Sequence, residues 1–147
     1  MSLKDWHKFG WLRPHRTNQK EISDLFEIVD RDLADASTGR LSTDWQFGIA
    51  YNAALKLCTI LLYAEGYRPE RQLAHYRTLQ ALPLILGDTR KDDAAYLDAC
   101  RSKRNTVEYD TAGQTTAEEA KELIDFCREL HLDVLDWLRQ QHPGLIV

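Results

Sequence analysis

The run from Arg101 to Asp110 packs three cations (Arg101, Lys103, Arg104), one amide (Asn105), one phenol (Tyr109) and two carboxylates (Glu108, Asp110) into roughly three turns of helix. Side chains of these types suit a phosphate. Arg104 would be a forked donor to non-bridging oxygens and would offset charge that grows on phosphorus during transfer. Asn105 would orient the phosphate or a ribose. Arg101, Asn105 and Tyr109 fall at i, i+4 and i+8, one continuous line on a helix face. Glu108 and Asp110 would act as base or hold the arginines. The plainer reading is a solvated face, since Asp98 is placed for Arg101 at i+3 and Glu108 for Arg104 at i+4. Such pairs contribute about 0.2–0.5 kcal/mol each.

The elements that position this run are helical. Glycine and proline are scarce, and apolar residues recur at spacings of three and four. A first helix is expected from Thr17 or Asn18 to Ala36, with Ile22, Leu25, Phe26, Val29 and Leu33 on one face. A second starts after Ser42 or Thr43, whose hydroxyls suit an N-cap, and ends at Glu65 before Gly66. The third spans Glu70 to about Leu86, kinked or shortened near its end by Pro83, with Gly87 closing it. The fourth runs from about Thr89 to Tyr109 with Ala94, Leu97, Cys100 and Val107 as its apolar stripe, and the breaker Ala112-Gly113-Gln114 follows it. The fifth begins after Thr115 or Thr116 and reaches Gln141, burying Ala120, Leu123, Ile124, Cys127, Leu130, Val134 and Leu138. No period-two run is long enough for a sheet. The expected fold is therefore all-α, an up-and-down bundle of about five helices over residues 17–142, with an arm (1–16) and a short tail (143–147).

A chain of 147 residues with 44% hydrophobic and 29% charged content fits one globular domain. The longest apolar runs, 57–64 and 81–86, fall short of the roughly 18 residues that span a bilayer. No cationic segment leads into an apolar one as in a secretory signal, so the cytoplasm is the expected location and no membrane partner is expected. Cys58, Cys100 and Cys127 lie far apart in apolar patterns and read as buried thiols. Cys127 and His131 share a face at i, i+4, but a cysteine on the core stripe makes a poor nucleophile. There is no zinc spacing, no paired Glu-x-x-His set and no glycine-rich phosphate loop, so neither metal nor cofactor is expected.

The net charge of −4 argues against indiscriminate polyanion binding, yet the first twenty residues hold Lys4, Lys8, Arg13, Arg16 and Lys20 against Asp5 alone. Trp6, His7, Phe9, Trp11 and His15 are interleaved with them. Such an arm can lie on nucleic acid, bases stacking on rings and phosphates pairing with cations. Gly10, Pro14 and the modest charge favour the other reading, an extended segment that packs its tryptophans onto the bundle. His75 and Arg77 on the third helix are candidates to face the cleft of the Arg101–Asp110 run, although a histidine with Tyr76 beside it is more often a packing or capping residue. Trp45, Tyr51, Tyr63 and Tyr67 read as core or dimer surface.

Two stretches together resemble the HEPN family (higher eukaryote and prokaryote nucleotide-binding domain), in a bacterial branch. One is Ala50-Tyr51-Asn52 through Leu57, followed by Leu61 through Ala64 and Glu65-Gly66-Tyr67-Arg68. The other is Arg101-x-x-Arg104-Asn105-x-x-x-Tyr109-Asp110, similar to the family's Arg-Asn-x-x-x-His signature. The segment His75-Tyr76-Arg77-Thr78 leading into Ala81-Leu82-Pro83-Leu84 fits the same pattern, and the likeness covers about residues 20–140. The resemblance implies an all-helical bundle, commonly a homodimer with its polar motif lining a cleft between protomers. It implies either a metal-independent endoribonuclease of a toxin–antitoxin or defence system, acting on RNA or a nucleotide, or an inactive module that partners a nucleotidyltransferase or antitoxin protein. By position Arg104 and Asn105 match the family's Arg and polar residue, and Tyr109 stands where it has histidine. A phenol with an unperturbed pKa of about 10 is a poorer base at neutral pH than an imidazole, so the departure bears on catalysis more than on anion binding.

Overall fold

The helix Thr43–Ala64 is apolar around almost its whole circumference: Phe47, Ala50, Tyr51, Ala54, Leu57, Leu61 and their neighbours are all buried. A helix with that composition must be surrounded, and it forms the axis of the molecule. In the computed structural model, which describes residues 1–109 and 115–146 (the side chains of 106–109 excepted), it is the third α-helix in chain order. The others are α1 (Leu3–Lys8), α2 (Gln19–Ala36), α4 (Ala74–Gln80), α5 (Leu82–Leu86), α6 (Lys91–Tyr109) and α7 (Ala117–Gln141), and α3 is the axis itself. The fold is an all-α bundle in which α2, α7 and α6 pack around α3. By length and composition α3 would pass for a membrane span, but most of it is buried inside the bundle.

The helix ends follow side-chain chemistry. Asn18 caps α2 by accepting from the Glu21 amide (2.8 Å), and Ser42 caps α3 by accepting from the Trp45 amide (3.2 Å). Thr116 caps α7 in a reciprocal box with Glu119. Gly66 and Gly87 take positive φ (91° and 115°) where α3 and α5 end. The expected stripe of α7 is buried in full, as are Ile22, Val29 and Leu33 of α2 and Ala94, Leu97 and Cys100 of α6. All three cysteines are free and buried.

Three features depart from the expected course. The third helix does not start at Glu70. Residues Tyr67–Pro69 instead form a short strand, β2, antiparallel to β1 (Leu12–Pro14), with Arg13 opposite Arg68. Three-residue strands are too short to show a period-two pattern. The helix is then broken into α4 and α5, because Pro83 has no amide hydrogen and its ring crowds the carbonyl four residues back. Finally, the arm folds. Ser2 and Asp5 form a capping box for α1, and Leu3, Trp6 and Leu12 enter a second apolar cluster with Leu62 and Ala81. The arm is thus a layer laid across α3, α4 and α5.

Candidate functional site

Three helices bring the site together. α6 supplies Arg101 and Arg104, α3 supplies Tyr51 and Lys56, and α4, packed on both, supplies His75 and Tyr76. Tyr51 is 1% exposed, on the buried face of α3 between Ala50 and Ala54. The Arg104 guanidinium carbon lies 5.4 Å from the Tyr51 ring centroid, and that of Arg101 lies 5.8 Å from the Tyr76 ring. Both geometries are within reach of a cation–π contact. Among the described residues the buried Tyr51 hydroxyl has no hydrogen-bond partner. Burial pushes its pKa up to about 12 against the pull of Arg101 and Arg104, so at neutral pH it keeps its proton and is a donor. A buried polar group in that state is uncommon and calls for a cause.

His75, on the outer rim, has its pKa held below the ordinary imidazole value. Desolvation is the first cause, and the charges of Arg104, Lys56 and Arg101 follow. It is therefore mostly neutral at pH 7 and able to take a proton. Arg101 donates from Nε to Asp98 at 2.8 Å, the i, i+3 pair expected from spacing. Lys103, the third cation of the run, turns the other way and reaches Glu119 of α7 at 2.5 Å. That leaves the two arginines on the side facing α3 and α4. Asn105 is exposed on α6 one turn beyond Arg101.

α6 runs unbroken to Tyr109. The side chains of Glu108 and Tyr109, the whole of Asp110, and the breaker 112–114 lie outside the described residues. His75 and Arg77 do not face the same way. Arg77 stacks on the Trp11 ring of the arm, 3.7 Å from guanidinium carbon to centroid, while His75 feels the cations of α3 and α6. Thr115 is fastened to the start of α3: Thr43 Oγ1 donates to the Thr115 carbonyl at 2.7 Å and the Thr115 amide donates to Asp44 at 3.1 Å.

Two members are not expected at the site from the sequence. Lys56 and Tyr51 both lie in the 50–57 stretch that carries the resemblance, but neither has an assigned role in the site, and Tyr51 reads as core or dimer surface, which its burial alone would justify. The available signal was a phenol inside a run of alanines and leucines, where phenylalanine would pack as well. Cys127 is fully buried with its thiol pKa pushed up by burial, and its Sγ donates to the Ala50 carbonyl at 3.3 Å. His131 contacts Asp30 at 3.1 Å, so no thiol–imidazole pair forms. Among the described residues no three His, Cys, Asp or Glu side chains gather as a metal-ligand set.

The arrangement gathers guanidinium charge from α6, a buried hydroxyl from α3 and an imidazole from α4. No protein-family model matches the chain, and no curated protein or solved structure does either.

Proposed function

We propose that the α3–α4–α6 cluster binds a phosphate of RNA or of a nucleotide, as in a HEPN-type domain, and that the chain is a metal-independent endoribonuclease of a toxin–antitoxin or defence system in the cytoplasm. The observation that carries this reading is the buried, unpartnered Tyr51 hydroxyl beneath Arg101 and Arg104. A donor left unmade costs about 1–3 kcal/mol, and a phosphate oxygen would complete it. Arg104 would stabilise charge on the pentacoordinate phosphorus, and Asn105 and Arg101 would fix the substrate. Tyr109 stands in place of the family's histidine. His75, neutral at pH 7 and set among cations that would hold phosphate, is the imidazole available to accept the 2′-hydroxyl proton as the 2′-oxygen bonds to phosphorus, and to return a proton to the 5′-oxygen as its bond to phosphorus breaks. Glu108 and Asp110 would hold the arginines. A homodimer facing across α6 belongs to the same reading, and light scattering at tens of micromolar tests it.

The direct test is cleavage of a mixed tRNA and mRNA pool in EDTA by wild type and Arg104→Ala. Cleavage that survives chelation and disappears in the variant is the expected result. No cleavage by wild type would retire catalysis. It would leave the second reading, a silent HEPN module that partners a nucleotidyltransferase or antitoxin protein, which the Tyr109 replacement favours.

A further inference from the structure

The arm does more than bury its tryptophan. Residues 1–16 and 67–80, joined through β1 and β2, hold seven Lys and Arg against Asp5 and Glu70, a net of +5 in a chain of −4, so the remaining residues sum to −9. Lys4 and Lys8 stand one turn apart on the exposed side of α1, opposite its buried Leu3 and Trp6. Arg13 and Arg68 are directly opposed across the two strands, both exposed. Like charges in that position repel; Glu70 beside them pairs with Arg13 and also attracts Arg68, which offsets part of that repulsion. A repulsion kept on an exposed ribbon is relieved by a bound polyanion.

Aromatic rings lie among these cations. Phe9 is 53% exposed and stands 5.0 Å from the Trp11 ring, whose other neighbours are Trp6 at 5.9 Å and the Arg77 guanidinium at 3.7 Å. His7, also exposed, lies 5.6 Å from Tyr67. An exposed phenylalanine braced by a cation-backed tryptophan is a preformed surface for a base, since it needs no ordering when a base stacks on it. α4 joins this layer to the cluster described above, because Tyr76 meets Arg101 on one side of the helix and the next residue, Arg77, meets Trp11 on the other.

We propose that the α1–β1–β2 layer is a binding surface for single-stranded RNA, with Phe9 and His7 stacking bases and Lys4, Lys8 and Arg68 meeting phosphates. It extends the phosphate reading of the α3–α4–α6 cluster, from which it takes RNA as the polymer. Single strands are favoured over duplex because only unpaired bases offer a face to Phe9.

The test is fluorescence anisotropy of a labelled oligouridylate and of a duplex RNA of equal length, with wild type, Phe9→Ala, Lys4→Ala/Lys8→Ala and Arg104→Ala, each first checked for native helicity by circular dichroism. Expected for Phe9→Ala is a loss of about 5- to 100-fold on the single strand with the salt dependence unchanged. The double lysine variant should lower affinity and reduce the slope of log K against log salt by about 1.4, two charges at ~0.7 each. Equal affinity for duplex and single strand, or full affinity in Phe9→Ala and the lysine variant, overturns the layer as an RNA surface. If only Arg104→Ala loses binding, the layer falls and the cluster stands. If only the layer variants lose it, the cluster fails as an RNA site and the layer stands. Capture of vesicles or of an acidic peptide without RNA binding also overturns it.

Discussion

Tyr51→Phe separates a residue kept for packing from one kept for a ligand. The ring is 1% exposed and its hydroxyl has no partner among the described residues, which leaves a donor desolvated and unmade. That state costs about 1–3 kcal/mol, and phenylalanine of the same shape removes it. The contact with Arg104 at 5.4 Å is to the ring and survives the change. The variant should therefore be more stable than wild type by about 1–3 kcal/mol. For a domain of 147 residues, at about 2–4 °C per kcal/mol, its melting temperature should rise by about 2–12 °C. Urea unfolding in phosphate-free buffer measures the first quantity and a thermal scan the second. Ligand binding should move the opposite way. Losing a hydrogen bond to a charged oxygen should weaken oligonucleotide affinity by about tenfold or more. A stability gain joined to a binding loss is a signature that a packing role does not produce. A variant less stable than wild type by about 1 kcal/mol would mean the hydroxyl is already satisfied in the free protein. Unchanged affinity would mean the ligand does not reach it. Either result refutes the reasoning.

Other expectations follow from the same residues. The His75 imidazole should titrate below its ordinary value in the free protein, by NMR of its ring carbons, and the midpoint should rise on adding inorganic phosphate or in Arg104→Ala. Since the unfolded chain takes that proton first, His75 contributes stability present above pH 6.5 and lost as pH falls through its folded value, and a midpoint at or above 6.5 would sink the argument. Stability should fall steeply above pH 9, because Cys58 and Tyr51 keep their protons to about 12 in the fold while the unfolded thiol and phenol ionise near 9 and 10. Each such group contributes a slope of about 1.4 kcal/mol per pH unit, and Tyr51→Phe should flatten the curve between pH 10 and 12. Leu73, exposed and left-handed at φ 58° before α4, should tolerate Leu73→Gly with a gain of up to about 1 kcal/mol, and a loss in urea unfolding would show that its side chain matters more than its backbone.

The bundle was legible because its determinants are local and periodic. The α7 stripe from Ala120 to Leu138 and the caps Asn18, Ser42 and Thr116 are each written within one or two turns of chain. The layer over it was not. Whether Glu70 continues a helix or donates its backbone amide to the Trp11 carbonyl, as it does at 2.9 Å, depends on a partner nearly sixty residues away. The break after α4 was half legible, since Pro83 announced a disturbance but not its place. For the site, the sequence marked the cations of one helix and could not say which way each turns. Lys103 goes to α7 and Arg77 to the arm, while Arg101 and Arg104 meet on α3. Lys56 and Tyr51 join them only because α3 crosses beneath, a fact with no trace in local spacing.

The charge distribution and the unpaired hydroxyl argue in the same direction from different scales. A net of +5 over the arm and the β2–α4 segment stands against −9 over the rest of the chain, and the Arg13–Arg68 opposition lowers stability in a way Glu70 offsets only in part. The Tyr51 hydroxyl likewise lowers stability in the free protein. On the proposed reading a bound polyanion would relieve both. α4 is the element that makes this economical: a seven-residue helix whose successive residues Tyr76 and Arg77 touch the cluster and the layer. A strand anchored by stacking at Phe9 would then have its next phosphates carried over α4 toward Arg101 and Arg104, and the two surfaces would act as one longer site whose affinities multiply.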